Sequence, residues 1–155
     1  MSQVEMRLKE MGLTLPECPK PVAAYVPAVL INGFIYASGQ TPIVDDVLKY
    51  KGKVGRELSI EEGYEAAKIC ALRLISEIKF VIGDLDQVER IVKVNGYVNS
   101  TGDFSSQPAV INGASELLEV VFAEKGKHAR AAIGVSSLPC DAAVEIELIA
   151  AVRTK

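Results

Sequence analysis

The sequence predicts an α+β domain in which two main helices pack on one face of a mixed β-sheet. Three observations carry this reading. Two stretches repeat apolar side chains at helical spacing, several others alternate with period two, and the order of elements requires both hairpins and crossovers. With 155 residues and no internal repeat or linker, the chain reads as one domain, residues 1–155, of which residues 1–20 form an N-terminal extension.

Residues 2–11 carry a short helical pattern, and residues 12–20 are rich in turn formers. Residues 25–31 are β-prone, Asn32-Gly33 suits a type I′ turn, and residues 34–38 form the return strand of a hairpin. Residues 39–58 read as a polar loop with room for a short strand. Ser59 and Glu62 make a capping box. The helix it opens shows Ala67, Cys70, Ala71, Leu74 and Ile78 on one face, runs to about Val81 and stops at Gly83. Residues 88–98 read as a strand, with Val92, Val94 and Val98 on one face by alternation.

Thr101, Gly102 and Asp103 make a turn. Pro108 then sits in the first turn of a second helix, where its missing N–H costs nothing. That helix continues through Leu117, Leu118, Val121 and Phe122 and ends by Gly126. Residues 130–135 and 144–152 read as strands separated by a loop over residues 136–142. Helices on one face leave the other face of the sheet needing cover, which a partner subunit could supply.

Apolar residues make up 49% and charged residues 24%, an ordinary globular mix. The mean hydropathy of +0.22 fits either a large aliphatic core or apolar surface buried between subunits. No apolar run approaches the roughly 18 residues of a membrane helix, and the charged N-terminus lacks a signal-peptide core, so a cytoplasmic protein is expected. A net charge of −3 without a Lys/Arg cluster argues against a nucleic-acid surface. Cys18, Cys70 and Cys140 are odd in number and lack CxxC spacing, which disfavours disulfides and zinc. Cys70 falls in the helical core pattern, the other two in loops. No metal-ligand cluster, GxGxxG or Walker motif is present, so neither a metal nor a nucleotide cofactor is expected.

The candidate chemistry lies in the C-terminal third. Alternation places Arg130 on one strand face with Ala132 and Gly134, small neighbours that leave room for a ligand. A guanidinium there can hold a carboxylate through two parallel hydrogen bonds; a surface salt bridge is the competing reading. In the last strand Val144, Ile146, Leu148 and Ala150 share the core face. Glu145 and Glu147 share the other, either lining a subunit cleft, where a carboxylate can hold water or carry a proton, or as solvated edge residues. His128, the one histidine, has no nucleophile near it in sequence, and a catalytic triad built on it is disfavoured.

Three segments taken together are specific. Residues 129–135 (Ala-Arg-Ala-Ala-Ile-Gly-Val), Leu138-Pro139 and residues 144–150 resemble the C-terminal signature of the RidA/YjgF-like (L-PSP endoribonuclease-like) family. Residues 34–42, with Ser38-Gly39-Gln40-Thr41-Pro42, resemble that family's Ser-Gly-Gln-x-Pro strand, and residues 91–98 followed by Asp103-Phe104 also fit. The likeness spans residues 21–152 in family order.

The resemblance implies a chorismate-mutase-like fold and a homotrimer with sites at its subunit interfaces. It implies a deaminase of the 2-iminobutanoate/2-iminopropanoate type, hydrolysing reactive enamine/imine intermediates to 2-oxo acids and ammonia without a cofactor. Arg130 matches the family's carboxylate-binding arginine and Glu145 the glutamate associated with the attacking water. Tyr25, Ser38, Asn112 and the backbone at Ala132 match other substrate-binding positions. Ala132 stands where the best-known members carry Cys, and residues 1–20 and 43–56 depart from compact members, which bears on substrate range. Two other functions stay open: a non-catalytic trimer that binds small carboxylates, and, with the acidic balance against it, an RNA-cleaving translation inhibitor.

Overall fold

Ser2 opens the first helix, α1 (Gln3–Glu10), as an N-cap whose hydroxyl accepts from the Glu5 N–H while the Glu5 carboxylate reaches back to the Ser2 N–H. In this computed structural model, which describes residues 1–20 and 23–153, α1 is part of the core. Val4 and Leu8 are buried, and Arg7 Nη1 donates to the Val121 carbonyl at 2.8 Å. The N-terminal extension is therefore packed onto the domain over its helical half.

The hairpin forms where the sequence places it, as β1 (Ala28–Ile31) and β2 (Phe34–Gln40). Asn32 and Gly33 hold φ of +50° and +77°, the positive pair a type I′ turn needs. β1 starts later than expected: Tyr25 lies in a bend, and Pro27 has no N–H to give a ladder, though its carbonyl accepts from Ser38 N–H at 2.8 Å. The expected loop beyond contains a small second hairpin, β3 (Ile43–Val44) and β4 (Val47–Leu48), turned by Asp45 and Asp46 at φ +49° and +61°.

The Ser59–Glu62 capping box starts α2 (Ile60–Ile82), and Gly83 at φ +76° ends it. Ala66, Ala67, Cys70, Ala71, Leu74, Ile75 and Ile78 are its buried stripe. β5 (Val88–Asn99) follows, then α3 (Gln107–Phe122), a 3₁₀ turn (Ala123–Gly126), β6 (Ala129–Val135) and β7 (Val144–Val152). The two long helices cross closely because Gly113 has no side chain: a Cβ there would sit 2.0 Å from the Tyr64 carbonyl oxygen.

The main sheet runs β1-β2-β7-β5-β6, with β5 and β6 parallel and every other neighbour antiparallel. This is the expected mixed α+β architecture. One strand-face assignment is corrected. The β5–β7 register slips between Ile91 and Lys93, so Ile91, Val94 and Val98 are buried while Val92 is not on the core face.

Both long helices cover one face. On the other, Phe34, Tyr36 and Ile133 remain 40%, 48% and 48% exposed, and β1 exposes Val29 and Ile31 opposite Tyr36 and Phe34. Parallel strand pairs normally have both faces covered, and apolar surface of this kind marks an interaction site. Among the described residues no helix is long and apolar enough to cross a membrane. Cys18, Cys70 and Cys140 are free thiols, with Cys70 buried in the core.

Candidate functional site

Ser38 and Glu145 lie at one end of the β2–β7 pair, and Tyr25 precedes the residue that Ser38 ties down. β2 is irregular between Ala37 and Gln40, so the chain bulges at Ser38-Gly39 as it passes the start of β7. Ser38 Oγ donates to the Val26 carbonyl at 2.6 Å, which pins the segment next to the half-exposed Tyr25. Gly39 makes room for Glu145: a Cβ there would lie 2.7 Å from Glu145 Oε1.

The two acids of β7 separate cleanly. Glu147 Oε1 accepts from Tyr97 Oη at 2.9 Å and from Asn95 Nδ2 at 3.2 Å, so it is committed to the β5–β7 ladder. Glu145, also half-buried, makes no side-chain hydrogen bond among the described residues. Desolvation, then repulsion from Glu147, pushes its carboxyl above the usual carboxylate range. A carboxyl of that kind holds a proton more readily than a solvated one and can exchange it with a bound water.

Arg130, Asn112 and Ala132 form a second group beneath α3. Arg130 leaves β6 toward the helix: Nη1 donates to Ser115 Oγ at 3.1 Å and Nη2 to the Pro108 carbonyl at 3.3 Å. Pro108, Asn112 and Ser115 recur along α3 at spacings of four and three, so they share the face under which Arg130 lies. Ala132 is opposite Gly96 of β5 and packs on the core. Among the described residues Arg130 has no carboxylate partner within salt-bridge distance, unlike Arg56, Lys79 and Lys127.

The two groups do not meet within one chain. Glu145 is on the bare face of β7, Arg130 turns to the helix side, and β5 lies between their strands. Two strand spacings alone are roughly 10 Å. A single ligand can touch both only if copies of the chain supply the two halves. The cleft of about 630 Å³ on the chain, lined by Lys53, Arg56, Thr101, Phe104 and Gln107 among others, contains none of the six expected site residues. Among the described residues no three His, Cys, Asp or Glu side chains cluster as metal ligands.

Two features were not read from the sequence. Ser115 Oγ lies 2.9 Å from His128 Nε2, so the histidine does have a hydroxyl beside it, brought there by the turn between α3 and β6 rather than by sequence proximity. Behind the β2 bulge, Arg73 Nε donates to Gln40 Oε1 at 2.8 Å, and Gln40 Nε2 donates to Glu77 Oε1 at 2.8 Å. Glu77 is fully buried, and its Oε2 has no partner among the described residues. A lone acid inside a helical apolar stripe was the available signal.

Burial raises the Glu77 carboxyl from 4.5 to about 8, against the opposing pull of Arg73 and Gln40. The folded chain therefore keeps a proton that the unfolded chain releases, and stability falls as pH rises from 4.5 to about 8. The slope from this one group reaches about 1.4 kcal/mol per pH unit at most. Glu5 and Glu57, held near 2 by Lys79 and Arg56, titrate below that window. Melting temperatures should drop across this range for the wild type, and Glu77→Gln should make the slope shallower, the raised Glu145 carboxyl contributing in the same direction. An equal slope in the variant would contradict the assignment.

A profile of the family described as "YjgF/chorismate_mutase-like, putative endoribonuclease" matches residues 5–152. Protein TCP17 of Trypanosoma cruzi is 41% identical over 148 residues, covering 95% of this chain and 92% of its own. A RutC family protein of Aquifex aeolicus is 32% identical over 136 residues, covering 87% and 94%. Among solved structures, Atu1372 of Agrobacterium tumefaciens, a protein with unknown function, superposes with a TM-score of 0.91 at 40% identity, covering 97% of this chain and 92% of that one.

Proposed function

Because the chain belongs to the YjgF/chorismate mutase-like family and has its α+β fold, we propose that it hydrolyses 2-imino acids to 2-oxo acids and ammonia in the cytoplasm, as a homotrimer. The observation that carries this reading is Arg130. It is a partly buried guanidinium held by two neutral acceptors, with no carboxylate partner among the described residues. Five N–H donors on a guanidinium, less two, leave enough for a bidentate carboxylate.

In the proposed reaction Arg130 of one copy holds the substrate carboxylate, with Asn112 and the backbone at Ala132 beside it. Tyr25, Ser38 and Glu145 of a neighbouring copy close the site. A water attacks the electrophilic imine carbon, and Glu145 takes its proton as the C–O bond forms. Glu145 returns that proton to the carbinolamine nitrogen and then takes the proton of the carbinol hydroxyl as the C=O forms and the C–N bond breaks; ammonia and a 2-oxo acid leave, and the proton on Glu145 passes to solvent. Fixed geometry and desolvated charge supply most of the acceleration. No covalent intermediate is needed.

The composite site requires assembly, and the bare sheet face with Phe34, Tyr36 and Ile133 is the surface a second copy would cover. Sedimentation should give a species near three times 16.7 kDa. A stable monomer at micromolar concentration would overturn the shared site.

Activity is tested by ammonia release from freshly generated 2-iminobutanoate and 2-iminopropanoate. Acceleration over the buffer rate is expected. Binding of 2-oxo acids without acceleration would favour the non-catalytic carboxylate-binding trimer, which uses the same arginine. RNA cleavage, the activity in the family's description, is opposed by the net charge of −3.

A further inference from the structure

We propose that His128 and Ser115 are positioning residues for Arg130: a short hydrogen-bond relay, set by the backbone, that holds the guanidinium ready for a carboxylate. The inference rests on the carboxylate-anchor reading of Arg130 and names what sustains that anchor.

The relay starts at Gly126. His128 Nδ1 lies 2.6 Å from the Gly126 carbonyl oxygen, which can only accept, so Nδ1 carries the hydrogen. In the neutral imidazole Nε2 is then an acceptor. It faces Ser115 Oγ at 2.9 Å, so the serine hydroxyl donates into the ring. The serine's lone pairs are thereby turned to Arg130 Nη1 at 3.1 Å. With the ring neutral, each donor meets an acceptor along the whole chain, and the direction of every bond follows from the first.

The first link is rigid for a structural reason. Gly126 is buried in the turn that returns α3 to β6, and a Cβ there would sit 2.1 Å from the Leu118 carbonyl oxygen. The residue whose carbonyl fixes the histidine tautomer thus has its Cα packed against the helix that carries Ser115. The Pro108 carbonyl, on the same helix, takes Nη2. Arg130 is held from two points of α3 and from one end of its own strand, and a guanidinium so placed loses less freedom when it meets a ligand.

A nucleophilic Ser–His pair is the rival reading of the same atoms. It fails here because the serine oxygen already accepts from Arg130 and the residue is only 9% exposed.

His128 is the one histidine of the chain, so its imidazole ¹⁵N signals need no assignment. In the full-length wild type near neutral pH they should report Nδ1–H with an acceptor Nε2, and Ser115→Ala should shift the Nε2 resonance. Pyruvate binding, followed by calorimetry, should weaken about tenfold in Ser115→Ala and in His128→Leu, the scale of one hydrogen bond to a charged group. Ser115→Thr keeps the hydroxyl and His128→Gln keeps an acceptor, and both should recover most of the affinity.

A predominantly Nε2–H tautomer would refute the relay without any variant. Unchanged affinity in Ser115→Ala and His128→Leu, alongside a loss in Arg130→Ala, would refute the relay and leave the anchor standing. If the wild type does not bind pyruvate, or Arg130→Ala binds it equally well, the carboxylate reading fails and the relay's role fails with it.

Discussion

Arg130→Ala is expected to abolish measurable 2-oxo acid binding at concentrations that saturate the wild type. The side chain is positioned by Ser115 and the Pro108 carbonyl, both neutral, so its charge is uncompensated by protein among the described residues. A carboxylate arriving there forms a charge-assisted, fork-shaped pair out of bulk water. Truncating one member of such a pair costs about 2–5 kcal/mol, a loss of tens to thousands of fold in affinity.

Arg130→Lys should recover little, since an ammonium cannot reproduce two parallel N–H bonds and would not span Ser115 and Pro108 together. Calorimetric titration with pyruvate measures all three proteins. Equal binding by wild type and Arg130→Ala would remove the anchor from the reading.

Local chemistry made most of the fold legible. The capping box at Ser59–Glu62, the stop at Gly83 and the Asn32-Gly33 turn each depend on a few adjacent residues, and each stands where it was expected. The errors arise where tertiary contacts decide. Strict alternation placed Val92 on one face with Val94 and Val98, but a bulge opposite β7 resets the register there. Pro27 shortens β1, and the Asp45-Asp46 turn closes a hairpin without the glycine that usually signals one.

The site was legible as a set of residue types and not as an arrangement. Alternation placed Arg130 with Ala132 and both glutamates on one face of β7, which agrees with the structure. It could not reveal that Arg130 turns under α3 while Glu145 faces the bare side of the sheet, because that depends on which face receives the helices. Nor could it separate Glu145 from Glu147. Their difference lies in Asn95 and Tyr97, some fifty residues away along the chain and adjacent only through the β5–β7 register. The Ser115–His128–Arg130 contact is hidden for the same reason: it spans the turn that joins a helix to a strand.

The separation of the two glutamates yields the second large effect. Glu145→Gln is expected to lower imine hydrolysis by about 10²–10⁴-fold, the range for losing a positioned general base. It keeps shape and polarity in the space that Gly39 leaves, so pyruvate affinity should stay near that of the wild type. The raised carboxyl of Glu145 also predicts a rate that rises with pH as the group ionises, and Glu145→Gln should lack that limb. Glu147→Gln is the contrasting variant. Glu147 Oε1 accepts from Tyr97 and Asn95, so its replacement should cost stability through the β5–β7 ladder more than it costs turnover. Steady-state rates on freshly generated 2-iminobutanoate, with melting temperatures for each variant, distinguish the two. Wild-type turnover in Glu145→Gln would transfer the proton-handling role elsewhere. A collapse of turnover in Glu147→Gln without a change in melting temperature would place it on the neighbouring acid.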